Sequence, residues 1–189
     1  MGMFASAQET TSGFREMTER PATPWKNLSI VETGEPSDMP EVARLFGDYA
    51  RWFEATFRHT LCFQDFDAEL QNLPGAYAPP GGTIWLAHGV ETGTGSAIGV
   101  IAVKPLGDPG VCEMKRLWVD PGWQGTGLGC HLAMLSIDWA RRRGYRTMKL
   151  DTLKRMTAAV ALYRSLGFQE IVPYVANPLD DVVYLGLNL

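Results

Sequence analysis

Apolar residues recur at two different spacings along the chain, and the change of spacing marks its helices and strands. Residues 38–53 combine a capping-box pair, Asp38 and Glu41, with an apolar stripe typical of an amphipathic helix: Val42, Leu45, Phe46, Tyr49 and Phe53. A second short helix is predicted over 67–73, ending at Pro74. Strand-like runs cover 27–32, 83–88, 96–104 and 111–119, with turn residues at 92–95 and 108–110, so we expect a centre rich in strands.

The strand predicted over 111–119 contains an irregularity in its alternation. Met114 is apolar at an even position, whereas Leu117 and Val119 are apolar at odd positions, so the face directed to the core changes between them. A β-bulge and an imperfect pattern in an ordinary strand both account for this change. A bulge would leave backbone groups unpaired, and an extended ligand could bind them as a strand would.

A glycine-rich segment, VDPGWQGTGLGCHL at 119–132, follows this strand and opens a helix predicted up to Gly144 by the spacing of Leu128, Leu132, Leu135 and Trp139. Gly125, Gly127 and Gly129 have no Cβ to keep a ligand away, and the first N–H groups of a helix favour an anion. A ligand that carries phosphate is therefore expected. No Gly-Lys-Ser/Thr follows, and Cys130 stands where a GxGxxG motif needs its third glycine, which excludes both common phosphate loops.

Composition narrows the class of protein. The chain has 189 residues, 46% of them hydrophobic, and a net charge of −4, which gives no basic excess for binding nucleic acid. Its three cysteines and three histidines have no spacing typical of a disulfide framework or a metal site. No secretory signal or membrane span is evident, so we expect a cytoplasmic protein. We expect residues 1–26 to form a flexible extension and residues 27–189 a single domain.

Two ordered motifs carry a resemblance to a known family. The segment QGTGLG at 124–129 fits Q/R-x-x-G-x-G/A and resembles the pyrophosphate-binding motif of the GNAT superfamily of acetyl-CoA-dependent N-acetyltransferases. LDT at 150–152 and AVALYRSLGF at 159–168 resemble the next strand and helix of that family. The resemblance runs from about Cys112 to the end of the chain and is weaker back to Asn27. It implies an α/β (α+β) fold whose mixed, largely antiparallel central sheet has about six to seven strands, with helices on both faces.

The resemblance also implies where the cosubstrate binds. It assigns the pyrophosphate of coenzyme A to the loop residues, which are Gln124, Gly125, Thr126, Gly127, Leu128 and Gly129. The pantetheine would lie along the strand before the loop, against the backbone of Leu117, Trp118 and Val119. One of those three N–H groups would polarise the acetyl carbonyl. Acetyl-CoA is the expected cosubstrate, and no metal is expected.

Two side chains are candidates for the proton transfers. Tyr163 lies beside the apolar stripe of its helix, which suits a proton donor to the leaving thiolate and equally suits a half-buried core tyrosine. Glu113 is the candidate base because it precedes the expected thioester position on the same strand; an ion pair with Lys115 or Arg116, or a solvated edge charge, explains it as well. The family often has asparagine seven residues before the tyrosine, and this chain has Met156 there.

These observations indicate an N-acetyltransferase that moves an acetyl group from acetyl-CoA to a primary amine by direct attack in a ternary complex. The alternative is a catalytically silent acyl-CoA-binding or sensory domain on the same fold. The acceptor is expected to be an amine-bearing small molecule or peptide. The resemblance implies that it contacts 52–60 and 173–178, and its identity stays open. Neither nucleic acid nor a membrane is an expected partner, and a homodimer stays open.

Overall fold

The computed structural model describes residues 28–61, 65–89 and 95–189. The predicted extension, residues 1–26, and most of the predicted turn at 92–95 lie outside these ranges. In the described part of the chain, no helix is both long enough and apolar enough to cross a bilayer.

One seven-stranded sheet forms the centre of the molecule. Its strands in chain order are β1 (Leu28–Thr33), β2 (Thr83–Gly89), β3 (Ala97–Pro105), β4 (Val111–Val119), β5 (Thr147–Leu153), β6 (Gln169–Glu170) and β7 (Val182–Asn188). Their spatial order is β1-β2-β3-β4-β5-β7-β6, and every neighbouring pair is antiparallel except β4 and β5. The predicted sheet, mixed and largely antiparallel with up to seven strands, is confirmed.

Helices cover both faces of this sheet. They are α1 (Met39–Phe57), α2 (Phe66–Gln71), α3 (Leu128–Arg142) and α4 (Thr157–Ser165). The buried side chains of α1 and α2 share one apolar cluster with one face of the sheet, and those of α3 and α4 share a second cluster with the other face. Because both faces are covered, the interior strand β3 is buried over seven consecutive residues, Ala97 to Val103.

The predicted capping box does not form at the start of α1. Asp38 has helical backbone angles, φ −92° and ψ −16°, because it is the last residue of a short 3-10 helix (Pro36–Asp38), and its carboxylate accepts a hydrogen bond from the Thr33 hydroxyl instead. Glu41 accepts a hydrogen bond from the Ala97 N–H at 2.6 Å and pairs with Arg44. These two carboxylates therefore attach α1 to the sheet and cap no helix.

Candidate active site

A cavity of about 500 Å³ opens where β4 and β5 separate. The two strands pair only from Val111 opposite Thr147 to Glu113 opposite Lys149, and beyond that point their facing edges are not paired with each other. The cavity occupies this gap. Its walls are the second half of β4, residues 150–152 of β5, the last two turns of α1, the start of α4 and part of the glycine loop.

The second half of β4 contains the β-bulge. Lys115 pairs with Ala102 and Trp118 pairs with Val100, so two residues of β4 face one residue of β3. Arg116 lies in the bulge and has a left-handed φ of 57°, a backbone conformation that is unfavourable for a residue with a Cβ. Of the two explanations for the sequence irregularity, the structure therefore selects the bulge. The three residues predicted to bind pantetheine, Leu117, Trp118 and Val119, all line the cavity.

The glycine loop meets the cavity at the N-terminus of α3. Gly125 and Gly127 have positive φ values, 77° and 91°, and a Cβ on either would meet no atom within 4 Å, so the loop presents an open backbone. Two side chains close the loop onto its own backbone: Gln124 Nε2 donates to Val119 O at 2.9 Å, and Thr126 Oγ1 donates to Trp123 O at 2.7 Å. Gln124, Gly125 and Gly129 line the cavity, whereas Leu128 is fully buried in the core beneath it. An anion at this loop would meet N–H groups of the first helical turn, of which that of Leu128 also donates to Thr126 Oγ1 at 3.4 Å.

Tyr163 lines the cavity from α4. Only 8% of the residue is exposed, and its ring packs edge-on against Phe168 with centroids 5.8 Å apart. Burial, together with nearby Tyr49 and Asp151, raises the pKa of Tyr163, so its phenol is protonated at neutral pH. Tyr163 is thus both a packed core residue and a proton-bearing group beside the cavity, and its proposed role as acid stays a prediction.

Glu113 lies behind the cavity wall. It is 1% exposed, it accepts a hydrogen bond from the Tyr174 hydroxyl at 2.7 Å, and it faces two lysine ammonium groups, Lys115 at 3.2 Å and Lys104 at 3.4 Å. The ion pair with Lys115 is therefore present, and Glu113 is not a solvated edge charge. Its role as a base stays a prediction, since Lys115 lines the cavity and Glu113 does not.

Asp151 is the acidic side chain that does line the cavity among the described residues, and the sequence interpretation missed it. Lys115 Nζ bonds Asp151 Oδ1 at 2.8 Å, and Asn177 Nδ2 bonds Asp151 Oδ2 at 3.0 Å. Burial opposes ionisation, but the Lys115 charge and these hydrogen bonds outweigh it and lower the pKa of Asp151. Lys115 thus joins two carboxylates, Glu113 and Asp151, into one cluster. Continuing the register of β4 and β5 by two residues places Lys115 opposite Asp151. A prediction from sequence that these two strands pair would therefore have indicated the contact.

Comparison with known proteins decides the family. The model of the acetyltransferase (GNAT) family matches residues 43–168, which include β4, the glycine loop and α4. The chain belongs to the GNAT acetyltransferase family. This acetyltransferase is 39% identical over 163 residues to an uncharacterized N-acetyltransferase of Schizosaccharomyces pombe, a match that covers 86% of this chain and 96% of the relative. Membership makes the chain an acyltransferase.

Solved structures agree with this acetyltransferase in fold. An acetyltransferase from Streptococcus agalactiae superimposes with a TM-score of 0.69 at 21% identity, covering 87% of this chain and 99% of that one. A GNAT-family acetyltransferase from Staphylococcus aureus gives a TM-score of 0.68 at 22% identity, covering 85% and 98% of the two chains.

Met156 stands seven residues before Tyr163, where the resemblance described above implies an asparagine. In this acetyltransferase it lies at the N-terminus of α4 and lines the cavity, and its Sδ accepts a hydrogen bond from the Thr152 hydroxyl at 3.5 Å. A thioether cannot donate a hydrogen bond, so this position offers the cavity an apolar surface.

Proposed function

We propose that this protein transfers an acetyl group from acetyl-CoA to a primary amine by direct attack within a ternary complex. The observation that carries the proposal is one cavity that joins the open backbone of the glycine loop, the bulged strand β4 and Tyr163. The loop suits the coenzyme pyrophosphate, and the unpaired edge of β4 suits the amide groups of pantetheine. An N–H group of Leu117, Trp118 or Val119 then polarises the acetyl carbonyl.

The acceptor end of the cavity supports an amine with an apolar body. Tyr49, Trp52 and Phe57 of α1 line this end, and Trp118 packs against the first two with ring centroids 6.1 and 5.4 Å apart. The charged side chains that line the cavity all have ion-pair partners within the protein: Lys115 with Asp151, Arg116 with Glu69, and Arg155 with Asp181. Flat aromatic walls with internally paired charges favour an aromatic or large aliphatic substituent over a polyamine.

The proposed chemistry assigns a destination to each proton. The neutral amine attacks the thioester carbonyl, the carbon–sulfur bond breaks in the tetrahedral intermediate, and the departing thiolate takes the proton of the Tyr163 hydroxyl. The amine loses a proton to the cluster formed by Glu113, Lys115 and Asp151, in which Asp151 is the carboxylate beside the cavity. Although burial makes Tyr163 a weaker acid, it also makes the adjacent thiolate a stronger base, so transfer between them is retained.

The test is a panel of primary amines incubated with acetyl-CoA, with release of free thiol followed and the acetylated product identified by mass spectrometry. We expect 2-phenylethylamine or tryptamine to be acetylated faster than spermidine. Calorimetry with coenzyme A accompanies the panel. Coenzyme A binding without acetylation of any amine, including peptide N-termini, would reject the enzyme in favour of the silent acyl-CoA-binding domain.

A further inference from the structure

The bulge in β4 depends on one residue that is poorly suited to its backbone conformation. Arg116 is one of three described non-glycine residues with positive φ, and it is the one that lies within the sheet. An arginine in the left-handed region is disfavoured by contact between its Cβ and its own backbone, so something else must hold it there. Pairing with β3 shifts register at this point, and pairing with β5 has already ended at Glu113.

The side chain of Arg116 supplies the missing support by binding α2. Its Nε donates to Glu69 Oε1 at 3.0 Å and its Nη2 donates to Glu69 Oε2, so the guanidinium and the carboxylate meet through two parallel hydrogen bonds. The Arg116 side chain is 3% exposed and that of Glu69 is 18% exposed, so water screens the pair weakly.

Two further contacts fix the geometry of this pair. The Tyr77 hydroxyl donates to Glu69 Oε1 at 2.6 Å, and the Arg116 guanidinium lies 4.9 Å from the centre of the Phe66 ring. Tyr77 is itself 3% exposed and belongs to the short 3-10 helix Gly75–Tyr77. Glu69 is thus held from two sides, and a displacement of its carboxylate would displace Arg116.

We propose that Glu69 and Arg116 are positioning residues for acyl transfer: through their ion pair, α2 fixes the β4 bulge and thereby aims the N–H groups of Leu117 and Val119, on the edge of β4 that faces away from β3, at the thioester carbonyl. This rests on the proposed function, because it assigns the carbonyl to those N–H groups. Neither side chain needs to touch the acetyl group. Since donors aimed at an oxyanion act through direction as much as distance, a small rotation of the bulge lowers the rate of transfer without closing the site.

The decisive variant is Arg116→Gly, because glycine adopts positive φ without strain while the anchor to α2 is lost. We expect kcat to fall by at least about tenfold while the acceptor KM changes by less than about threefold. Glu69→Gln, which keeps shape and loses the charge, should reduce kcat in the same direction, and Arg116→Lys should recover part of it. Arg44→Met removes two ion pairs on α1 outside the cavity, with Glu41 and Asp48, and should leave kcat unchanged even if it lowers the melting temperature.

A second readout does not depend on turnover and does not need the Arg116→Gly protein to be stable. The amide resonances of Leu117 and Val119 are followed by NMR as acetyl-CoA is added to the wild type, to Glu69→Gln and to the double variant Glu69→Met/Arg116→Met, which leaves no unpaired buried charge. We expect clear shifts in the wild type and at least about a twofold reduction of those shifts in both variants. Wild-type shifts or wild-type kcat in the folded variants would overturn the positioning role. A wild type that binds acetyl-CoA through these amides but acetylates no amine would reject the proposed function alone.

Discussion

Tyr174 donates its hydroxyl hydrogen to Glu113 across 2.7 Å, and this bond attaches the segment between β6 and β7 to the strand that carries the bulge. Asn177, three residues later, donates to Asp151 at 3.0 Å. The segment is therefore fixed by the same two carboxylates that Lys115 joins. The position of any residue of this segment that contacts the acceptor would therefore depend on the charges and hydrogen bonds of that cluster.

Removal of the Tyr174 hydroxyl tests this attachment. Tyr174→Phe keeps the ring, which packs against Tyr184, and deletes the bond to Glu113. We expect the acceptor KM to rise by about threefold or more while the affinity for coenzyme A stays the same, because the glycine loop is untouched. The control is Tyr145→Phe, which deletes a hydroxyl bonded to Gly81 O at 2.6 Å outside the cavity. Equal acceptor KM values for the two variants would show that the segment does not contribute to acceptor binding.

The glycine loop offers a matched pair of substitutions. Gly127 and Gly144 are both exposed, with φ of 91° and 80°, and a Cβ on either meets no atom within 4 Å. Gly127→Glu and Gly144→Glu therefore impose the same backbone strain and the same charge, but only Gly127 lies at the N-terminus of α3. We expect Gly127→Glu to abolish coenzyme A binding in calorimetry and Gly144→Glu to leave it intact. Unchanged affinity for coenzyme A in a folded Gly127→Glu protein would show that the pyrophosphate does not bind at this loop.

Tyr163→Phe tests the proton donor. The variant keeps the packing against Phe168 and deletes the hydroxyl, so we expect single-turnover acetylation to slow by about 10²-fold with little change in acetyl-CoA affinity or stability. Tyr49→Phe is the matched control, because Tyr49 also lines the cavity and burial raises its pKa to about 12. A loss confined to Tyr49→Phe would transfer the role to that residue, and rates within about twofold of wild type for both variants would leave the thiolate to be protonated by water.

The roles of the two carboxylates beside Lys115 can be distinguished by replacing each carboxylate with the corresponding amide. We expect Asp151→Asn to lower kcat more than Glu113→Gln does, because Asp151 lines the cavity and Glu113 reaches it only through Lys115. The pH dependence of kcat/KM is the measurement, and the acidic limb should change in Asp151→Asn if Asp151 takes the proton. A larger loss and an altered acidic limb in Glu113→Gln would support the base predicted from the sequence.

Acid should destabilise the fold through Asp151 and Glu69. Burial favours their neutral forms, but Lys115 and Arg116 respectively outweigh it, so both carboxyl groups have a pKa below the ordinary value. A group with a lowered pKa in the folded state stabilises the protein above its unfolded pKa near 4, and that stabilisation is lost as the pH falls through the folded pKa. We expect urea unfolding between about pH 5 and 2 to show a shallower loss of stability in Asp151→Asn and in Glu69→Gln than in wild type. Glu170→Gln, at an exposed ion pair, should keep the wild-type slope.

Local sequence determined much of this protein. Three features depend only on residues close to one another in the chain: the amphipathic stripe of α1, the glycine loop before α3 and the change of parity in β4. Backbone sterics and the burial of one face therefore specify these features directly. The motif around Tyr163 likewise identified the helix that lines the cavity. The family and the sheet followed from motifs of this kind.

The tertiary structure alone decided which charges meet. Glu69 and Arg116 are 47 residues apart, and Lys115 and Asp151 are 36 apart, so no periodicity connects them. Tertiary packing also explains why Glu41 does not form the predicted capping box: its carboxylate accepts a hydrogen bond from the N–H of Ala97, 56 residues away. An ion pair or a hydrogen bond depends on distances of a few ångströms between side chains, and only the packing of α1 and α2 on the sheet, with the divergence of β4 from β5, sets those distances.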